Sequence, residues 1–200
     1  PRGVGVWMSL MIRPELHPSS ASMLTLVAAM AVSEGIKKTC GLETEIKWPN
    51  DIVAGGKKLC GILTEMSTEL ECINYVVTGI GINANMDEFP EEIREVATSI
   101  LMQTGKTVKR SELIGAVMEA YEKSYALFME SGNMAGLLEA YNSHLANVNR
   151  SVRVLSPGNE YMGTALGINE AGELLVKTED EAVHQVISGE VSVRGIYGYV

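Results

Sequence analysis

Residues 4–12 (VGVWMSLMI) form a short, dense apolar run, the pattern of a buried strand. Pro14 and Pro18 then interrupt the chain, and Ser19 or Ser20 is placed to cap a helix running to about Thr39. Leu24, Val27, Ala28, Ala31, Val32 and Ile36 recur at helical spacing, and Leu26, Ala29 and Met30 widen the stripe. Such a helix is expected to be well buried. Gly41 ends it beside Lys37 and Lys38, whose charge suits the negative end of the helix dipole. Residues 72–83 (CINYVVTGIGIN) read as a second buried strand. From Pro90 to about Asn147 the period is helical. One helix starts at Pro90, with Glu91 and Glu92 in its first turn, and closes at residues 99–102. A long amphipathic helix is capped by Ser111, carries Leu113, Ile114, Val117, Tyr121, Tyr125 and Phe128, and ends at Gly132. Another holds Leu137, Leu138, Tyr141 and Leu145.

After Asn149 and Arg150 the period falls to two. Short strands over residues 152–155, 161–168, 173–177, 182–187 and 191–194 predict a small barrel or sandwich. Two domains follow, residues 1–148 and 149–200. No flexible linker is expected between them, because a chain of about 50 residues is near the lower limit for independent folding.

The stretch Lys47-Trp48-Pro49-Asn50-Asp51 through Lys57-Lys58-Leu59-Cys60-Gly61-Ile62-Leu63 reads as strand, tight turn, strand. Pro49 has no ladder N–H, and Gly55-Gly56 is a favoured two-residue hairpin turn. That turn pairs Ala54 with Lys57, Val53 with Lys58 and Asp51 with Cys60. Asp51, Val53, Lys58 and Cys60 then share one face, with Asp51 and Lys58 as diagonal neighbours about 7–8 Å apart at Cα. The second strand is expected to end near Glu65 and Met66, with a polar turn over residues 67–71. An ammonium and a carboxylate side by side, next to the amide of Asn50, suit a charged substrate. A solvated surface salt bridge, worth little, fits the same residues.

Composition narrows the field. The chain has 200 residues, 46% hydrophobic and 20% charged, enough to bury a sizeable core. A net charge of −9 argues against broad binding to nucleic acid or an anionic membrane, though a locally basic site around Lys57 and Lys58 is compatible with it. Cys40, Cys60 and Cys72 are odd in number and lack zinc spacing, so they read as reduced thiols of a cytoplasmic protein. No apolar run is expected to span a membrane, and no signal peptide is visible. His17, His144 and His184 are scattered, and no HxxxH, CxxC or Walker pattern is present, so no metal site is expected. Gly79-Ile80-Gly81-Ile82-Asn83-Ala84 spells GxGxxA, but inside a strand rather than ahead of a helix. Glycines there mark a bulge or the close approach of a ligand.

The KWPND box at residues 47–51, the segment Lys58-Leu59-Cys60-Gly61-Ile62-Leu63-Thr64-Glu65 and the strand Gly79-Ile80-Gly81-Ile82-Asn83 together resemble biotin protein ligases, that is, biotin–[acetyl-CoA-carboxylase] ligases. Asn149-Arg150-Ser151-Val152-Arg153-Val154, Gly163 and Gly189-Glu190-Val191-Ser192-Val193-Arg194 resemble that family's SH3-like C-terminal domain. The resemblance implies an α+β fold: a mixed sheet with helices, akin to class II aminoacyl-tRNA synthetases, followed by a small SH3-like β-barrel. It implies a ligase that activates biotin with Mg2+ and ATP to biotinyl-5′-AMP. Biotin then passes to a lysine of the biotin carboxyl carrier protein of acetyl-CoA carboxylase.

Carried over by position, Lys58 and Asp51 are the catalytic pair. Lys58 meets the biotin carboxylate and the phosphate. Asn50 and Asp51 sit at the nucleotide, and Asp51 also prepares the acceptor lysine. Ile62, Gly79, Gly81 and Asn83 line the adenylate, while Arg153, Glu190 and Arg194 reach toward the ATP phosphates. Homodimers through the sheet are common in the family. Its basic glycine-rich loop and the residues holding biotin's ureido ring precede the point matched by Pro1, so a longer parent chain is expected. No helix-turn-helix segment is visible, so no nucleic-acid partner is expected of this chain, and no membrane. A lipoate or octanoate ligase and a non-catalytic biotin-binding module are the alternatives.

Overall fold

The computed structural model describes residues 3–69, 72–156, 159–188 and 192–195. Its first sheet is antiparallel: β1 (Val6–Ile12), β2 (Glu45–Lys47), β3 (Asp51–Ala54), β4 (Lys57–Glu69) and β5 (Cys72–Ile82), in the order β1-β5-β4-β3-β2. Helix α1 (Leu24–Cys40) covers one face. Beneath it the alternation along β5 buries Val76, Thr78, Ile80 and Ile82. The other face carries Tyr75, Val77, Gly79 and Gly81 and, among the described residues, is not covered by a helix. Gly41 ends α1 in the left-handed region at φ 73°, as its position predicts.

Several elements depart from the sequence expectation. A short 3-10 turn (Pro18–Met23) precedes α1, and its cap is His17, whose ring nitrogen accepts from the Ser19 N–H, in place of Ser19 or Ser20. The run of residues 18–40 is long and apolar enough to cross a membrane, contrary to expectation, but most of it is buried in this fold. The first strand is only half buried, with Trp7 and Met11 exposed on the open face. β4 continues to Glu69 through the expected turn, because Thr68 and Glu69 pair with Ile73 and Cys72. The helix expected from Pro90 is a series of turns over residues 91–96. Its apolar residues Ile93 and Val96 are exposed, so no buried face holds a helix there. Ser99 starts a helix instead of closing one. Its hydroxyl accepts the Met102 N–H at 3.0 Å and caps α2 (Ile100–Thr104). The long helix α3 (Arg110–Ser131) begins one residue before Ser111, with Lys109 at the cap position, and packs along α1.

Helix α4 (Leu138–His144) leads into the second sheet. Its strands are β6 (Ser151–Ser156), β7 (Asn159–Ile168), β8 (Leu174–Lys177), β9 (Val183–Val186) and β10 (Ser192–Gly195), antiparallel in the order β10-β6-β7-β8-β9. Val152, Val154, Ala165, Leu174 and Val176 are buried in a core continuous with that of the first sheet. Trp48 stands at the junction, 1% exposed. Its indole N–H donates to Gly172 O at 3.1 Å, and its backbone N–H donates to Asn147 Oδ1 at 3.0 Å. A Cβ at position 172 would fall 2.8 Å from Leu26 Cδ1, so only glycine lets this turn seat against α1.

Replacing Trp48 by Phe keeps most of the ring and removes the indole donor. It leaves the Gly172 carbonyl buried without that partner and is expected to cost about 1–3 kcal/mol. A fall in the urea midpoint at unchanged slope is the measurement.

Candidate active site

The hairpin at residues 51–63 turns at Gly55 and Gly56, with φ of 57° and 73°. Ala54 pairs with Lys57 and Val53 with Lys58, as expected. The next step differs. Ile52 pairs with Cys60 and Asp51 with Gly61, because β4 carries an extra residue in a bulge at residues 58–59. The backbone of Lys58 explains the bulge. Its N–H donates to Val96 O at 2.7 Å, and its carbonyl accepts the Thr98 N–H at 2.8 Å. Cys60 therefore leaves the expected face and packs in the core opposite Ile52.

The bulge brings Lys58 Nζ to 2.5 Å from Asp51 Oδ1. The Asp51 side chain is 12% exposed and that of Lys58 is 38% exposed, so this is not the fully solvated pair that the residue types alone allow. Lys58 reaches Asp51 by lying across Gly61. A Cβ there would be 3.1 Å from Lys58 Cε and 3.2 Å from Nζ. Asn50 is fixed beside the pair. Its side-chain amide donates to Ile62 O at 3.0 Å, and its carbonyl accepts the Ile62 N–H at 2.9 Å.

A cavity of about 570 Å³ opens on the free face of the sheet, bounded by Trp7, Asn50, Lys58, Ile62, Gly79 and Gly81. Its floor is the line where Trp7 and Gly61 flank Gly81, and Ser9 and Leu63 flank Gly79. Three residues without side chains leave that floor flat, and the ring of Trp7, 61% exposed, stands against Gly81. A smaller cavity of about 170 Å³ shares Asn50 and Ile62 and extends to Ser188 of the second sheet region.

Of the sequence-predicted residues, Asn50, Lys58, Ile62, Gly79 and Gly81 line the large cavity, and Asp51 holds Lys58 at its edge. Asn83 does not line it. Its side-chain amide donates to Thr98 O at 3.0 Å. Arg153 is exposed on β6 and paired with Glu160 at 2.5 Å. Glu190 and the side chain of Arg194 lie outside the described residues. Trp7, Ser9 and Gly61 were not singled out from the sequence. The period-two alternation of β1, which puts Trp7, Ser9 and Met11 on one face, was the available signal.

Burial pushes the Cys60 thiol well above its ordinary range, the Asp51 carboxylate adds to this, and Lys58 offsets part of it. Cys60 is thus a packing residue and not a nucleophile. Among the described residues no three His, Cys, Asp or Glu side chains gather as a metal site.

The family model for the biotin/lipoate A/B protein ligase family matches residues 1–83, and that for the biotin protein ligase C terminal domain matches residues 148–194. A single-site mutant of the Aquifex aeolicus biotin protein ligase, solved in complex with biotin, aligns with a TM-score of 0.84 at 30% identity, over 96% of this chain and 78% of that one. The chain belongs to the biotin protein ligase family. The Aquifex aeolicus ligase in complex with biotin and ATP is 29% identical, with a TM-score of 0.84 over 96% of this chain and 79% of that one. The bifunctional ligase/repressor BirA of Bacillus spizizenii is 37% identical over 193 residues, which make up 96% of this chain and 59% of that protein. The chain thus spans less than two thirds of the curated Bacillus relatives it matches. The α+β fold is that of the biotin protein ligases, and the second sheet is their SH3-like C-terminal domain.

Of the chain's thiols, exposed Cys72 is expected to react first with a disulfide reagent, and Cys60 only on unfolding. Thiol counts with and without guanidinium test this. The raised Cys60 pKa also fixes a sign. Above about pH 8.5 the unfolded chain ionises this thiol and the folded chain does not, so its contribution to stability is present below that pH and lost above it.

Proposed function

We propose that the intact protein is an ATP-dependent biotin protein ligase acting in the cytoplasm. The observation that carries this reading is the Lys58 ammonium, held against Asp51 on the wall of a flat-floored cavity. In the first step a carboxylate oxygen of biotin attacks the α-phosphorus of ATP. The bond to the β-phosphate oxygen breaks, giving biotinyl-5′-AMP and pyrophosphate. Lys58 lies where a cation draws the two anions together and stabilises the charge that builds on the α-phosphoryl oxygens. Gly61, Gly79 and Gly81 let the ligand approach the sheet backbone, and Asn50 supplies an ordered amide at its edge. The magnesium ion is taken to arrive on the ATP phosphates, since Mg2+ is commonly held by few protein carboxylates and by the phosphates themselves.

In the second step the amine of a lysine on the biotin carboxyl carrier protein attacks the acyl carbon. An amide forms, the acyl–phosphate oxygen bond breaks, and AMP leaves. We assign to Asp51 the role of taking the amine's proton. Arg153, Glu190 and Arg194 are assigned to the ATP phosphates on the strength of the sequence resemblance. The small cavity reaching Ser188 supports a route from the C-terminal domain to the nucleotide.

The intact protein is expected to transfer labelled biotin to a carrier domain, with ATP, in a form that survives SDS. Absence of label would sink the proposal. Lys58→Ala should lower adenylate formation by about 100-fold or more, the scale for losing one electrostatic donor, with the fold intact. Gly61→Ala should lower it too, because the new methyl takes the space of the Lys58 chain, while stability changes by about 1 kcal/mol or less. Thermal stabilisation by biotin but not by lipoate would separate this reading from an acyl ligase of the lipoate type.

A further inference from the structure

Trp48, Pro49 and Asn50 form the turn between β2 and β3, outside the ladder of those strands, whose last pair is Lys47 with Asp51. The bonds that hold this turn come from late in the chain. After α4, residues 145–147 run along the outer edge of β2. Leu145 bridges Ile46 in parallel, and the Ala146 N–H donates to Ile46 O at 2.8 Å. Ala146 also packs on Val53, the cross-strand neighbour of Lys58, and both are buried. Asn147 follows and is fully buried. Its Oδ1 accepts the Trp48 N–H at 3.0 Å, whereas its Nδ2 has no partner among the described residues, so the oxygen is the working atom. Two residues on, the Asn149 N–H donates to Ala165 O at 2.7 Å, and the Ala165 N–H donates to Arg150 O at 3.0 Å, which ties the segment to β7. The turn is pinned again at Asn50, whose carbonyl accepts the Ile62 N–H at 2.9 Å and whose amide donates to Ile62 O at 3.0 Å. Trp48 is 1% exposed, so water does not replace a partner lost there.

We propose that Asn147 is a positioning residue for Asn50. Its amide oxygen fixes the Trp48 backbone, and with it the turn that carries Asn50 to the edge of the cavity. Asn147 lines neither of the two cavities that share Asn50, so it acts without touching the ligand. It stands one residue ahead of the segment matched by the C-terminal domain model, residues 148–194, so the junction between the domains takes part in shaping the site. The proposal rests on Asn50 standing at the nucleotide. Lys58 is held by separate bonds, to Val96 and Thr98, and is spared. A leucine at position 147 keeps the volume and removes the acceptor. The Trp48 N–H is then buried without that partner, and the turn shifts.

The test uses Asn147→Leu in the intact protein, alone and combined with Asn50→Ala. Asn147→Ala, whose smaller side chain leaves room for a water, is the milder variant should the first fold poorly. Val176→Ala, a large-to-small change in the core of the second sheet, is the control for lost stability alone. Biotin-dependent ATP–pyrophosphate exchange gives kcat/KM for ATP and the KM for biotin. Hydrogen exchange of the ligand-free protein gives the protection of the Ile62 amide, which bonds to Asn50. Alone, Asn147→Leu should lower kcat/KM for ATP by about tenfold or more, as a misplaced contact group does, with the KM for biotin changed by about twofold or less. In the Asn50→Ala background the further loss should be about twofold or less, since the residue it acts through is gone. The Ile62 amide should exchange about tenfold faster or more, while Ile80 in the β4–β5 ladder keeps its protection. Val176→Ala should leave kcat/KM for ATP within about twofold. An equal loss in both backgrounds, or a loss that Val176→Ala reproduces, would overturn the proposal in favour of a purely structural role. Unchanged protection at Ile62 would overturn it as well. If the wild-type protein shows no biotin-dependent exchange, the ligase reading fails, and the Ile62 amide still decides whether Asn147 holds the turn.

Discussion

The carboxylate of Asp51 is mostly withdrawn from water, with the ammonium of Lys58 at 2.5 Å. A charge in that setting is costly unless an opposite charge and hydrogen bonds meet it. The pair constrains its surroundings closely. Lys58 must come off the β4 ladder in a bulge, position 61 must have no side chain for it to cross, and residues 96–98 must take up the Lys58 backbone groups. Removing Lys58 alone takes from a mostly buried carboxylate the ammonium at 2.5 Å, so the pair is kept or lost as a unit.

The sheet serves two purposes because its side chains alternate. One face of β5 packs Val76, Thr78, Ile80 and Ile82 under α1, and the intervening positions, Gly79 and Gly81, floor the cavity. A slip of one residue would send the isoleucines into the cavity and the glycines into the core. Trp48 holds this arrangement from the side, tying the turn before Asn50 and Asp51 to Asn147 and Gly172.

Strands and long helices were legible where period and length agreed: β5, α1, α3 and all five strands of the C-terminal sheet lie where the pattern put them. Misreadings came where a backbone partner far along the chain outweighed local pattern. A two-glycine turn implies an unbroken ladder that pairs Asp51 with Cys60, and nothing near Lys58 announces that Val96 and Thr98 will bond to it. Residues 91–96 are turns despite an N-terminal proline and acidic first turn, because Ile93 and Val96 find no surface to be buried against. Lys58, Asn50 and the glycines of β5 were found because charge, amide and missing side chains are visible in residue types. A short apolar run does not say which of its faces is covered, so the pattern puts Trp7 in the core while the fold leaves it exposed.

The indole of Trp48 bonds to a carbonyl 124 positions later, and its backbone N–H bonds to a side chain 99 positions later. During synthesis the turn carrying Asn50 and Asp51 leaves the ribosome long before either partner exists. At about 5–20 residues per second, several seconds pass before Gly172 emerges. The KWPND segment is thus made well before it can be locked. A nascent chain cut short between Asn147 and Gly172 would hold its site-forming hairpin with the backbone tie of Trp48 in place and the indole tie missing.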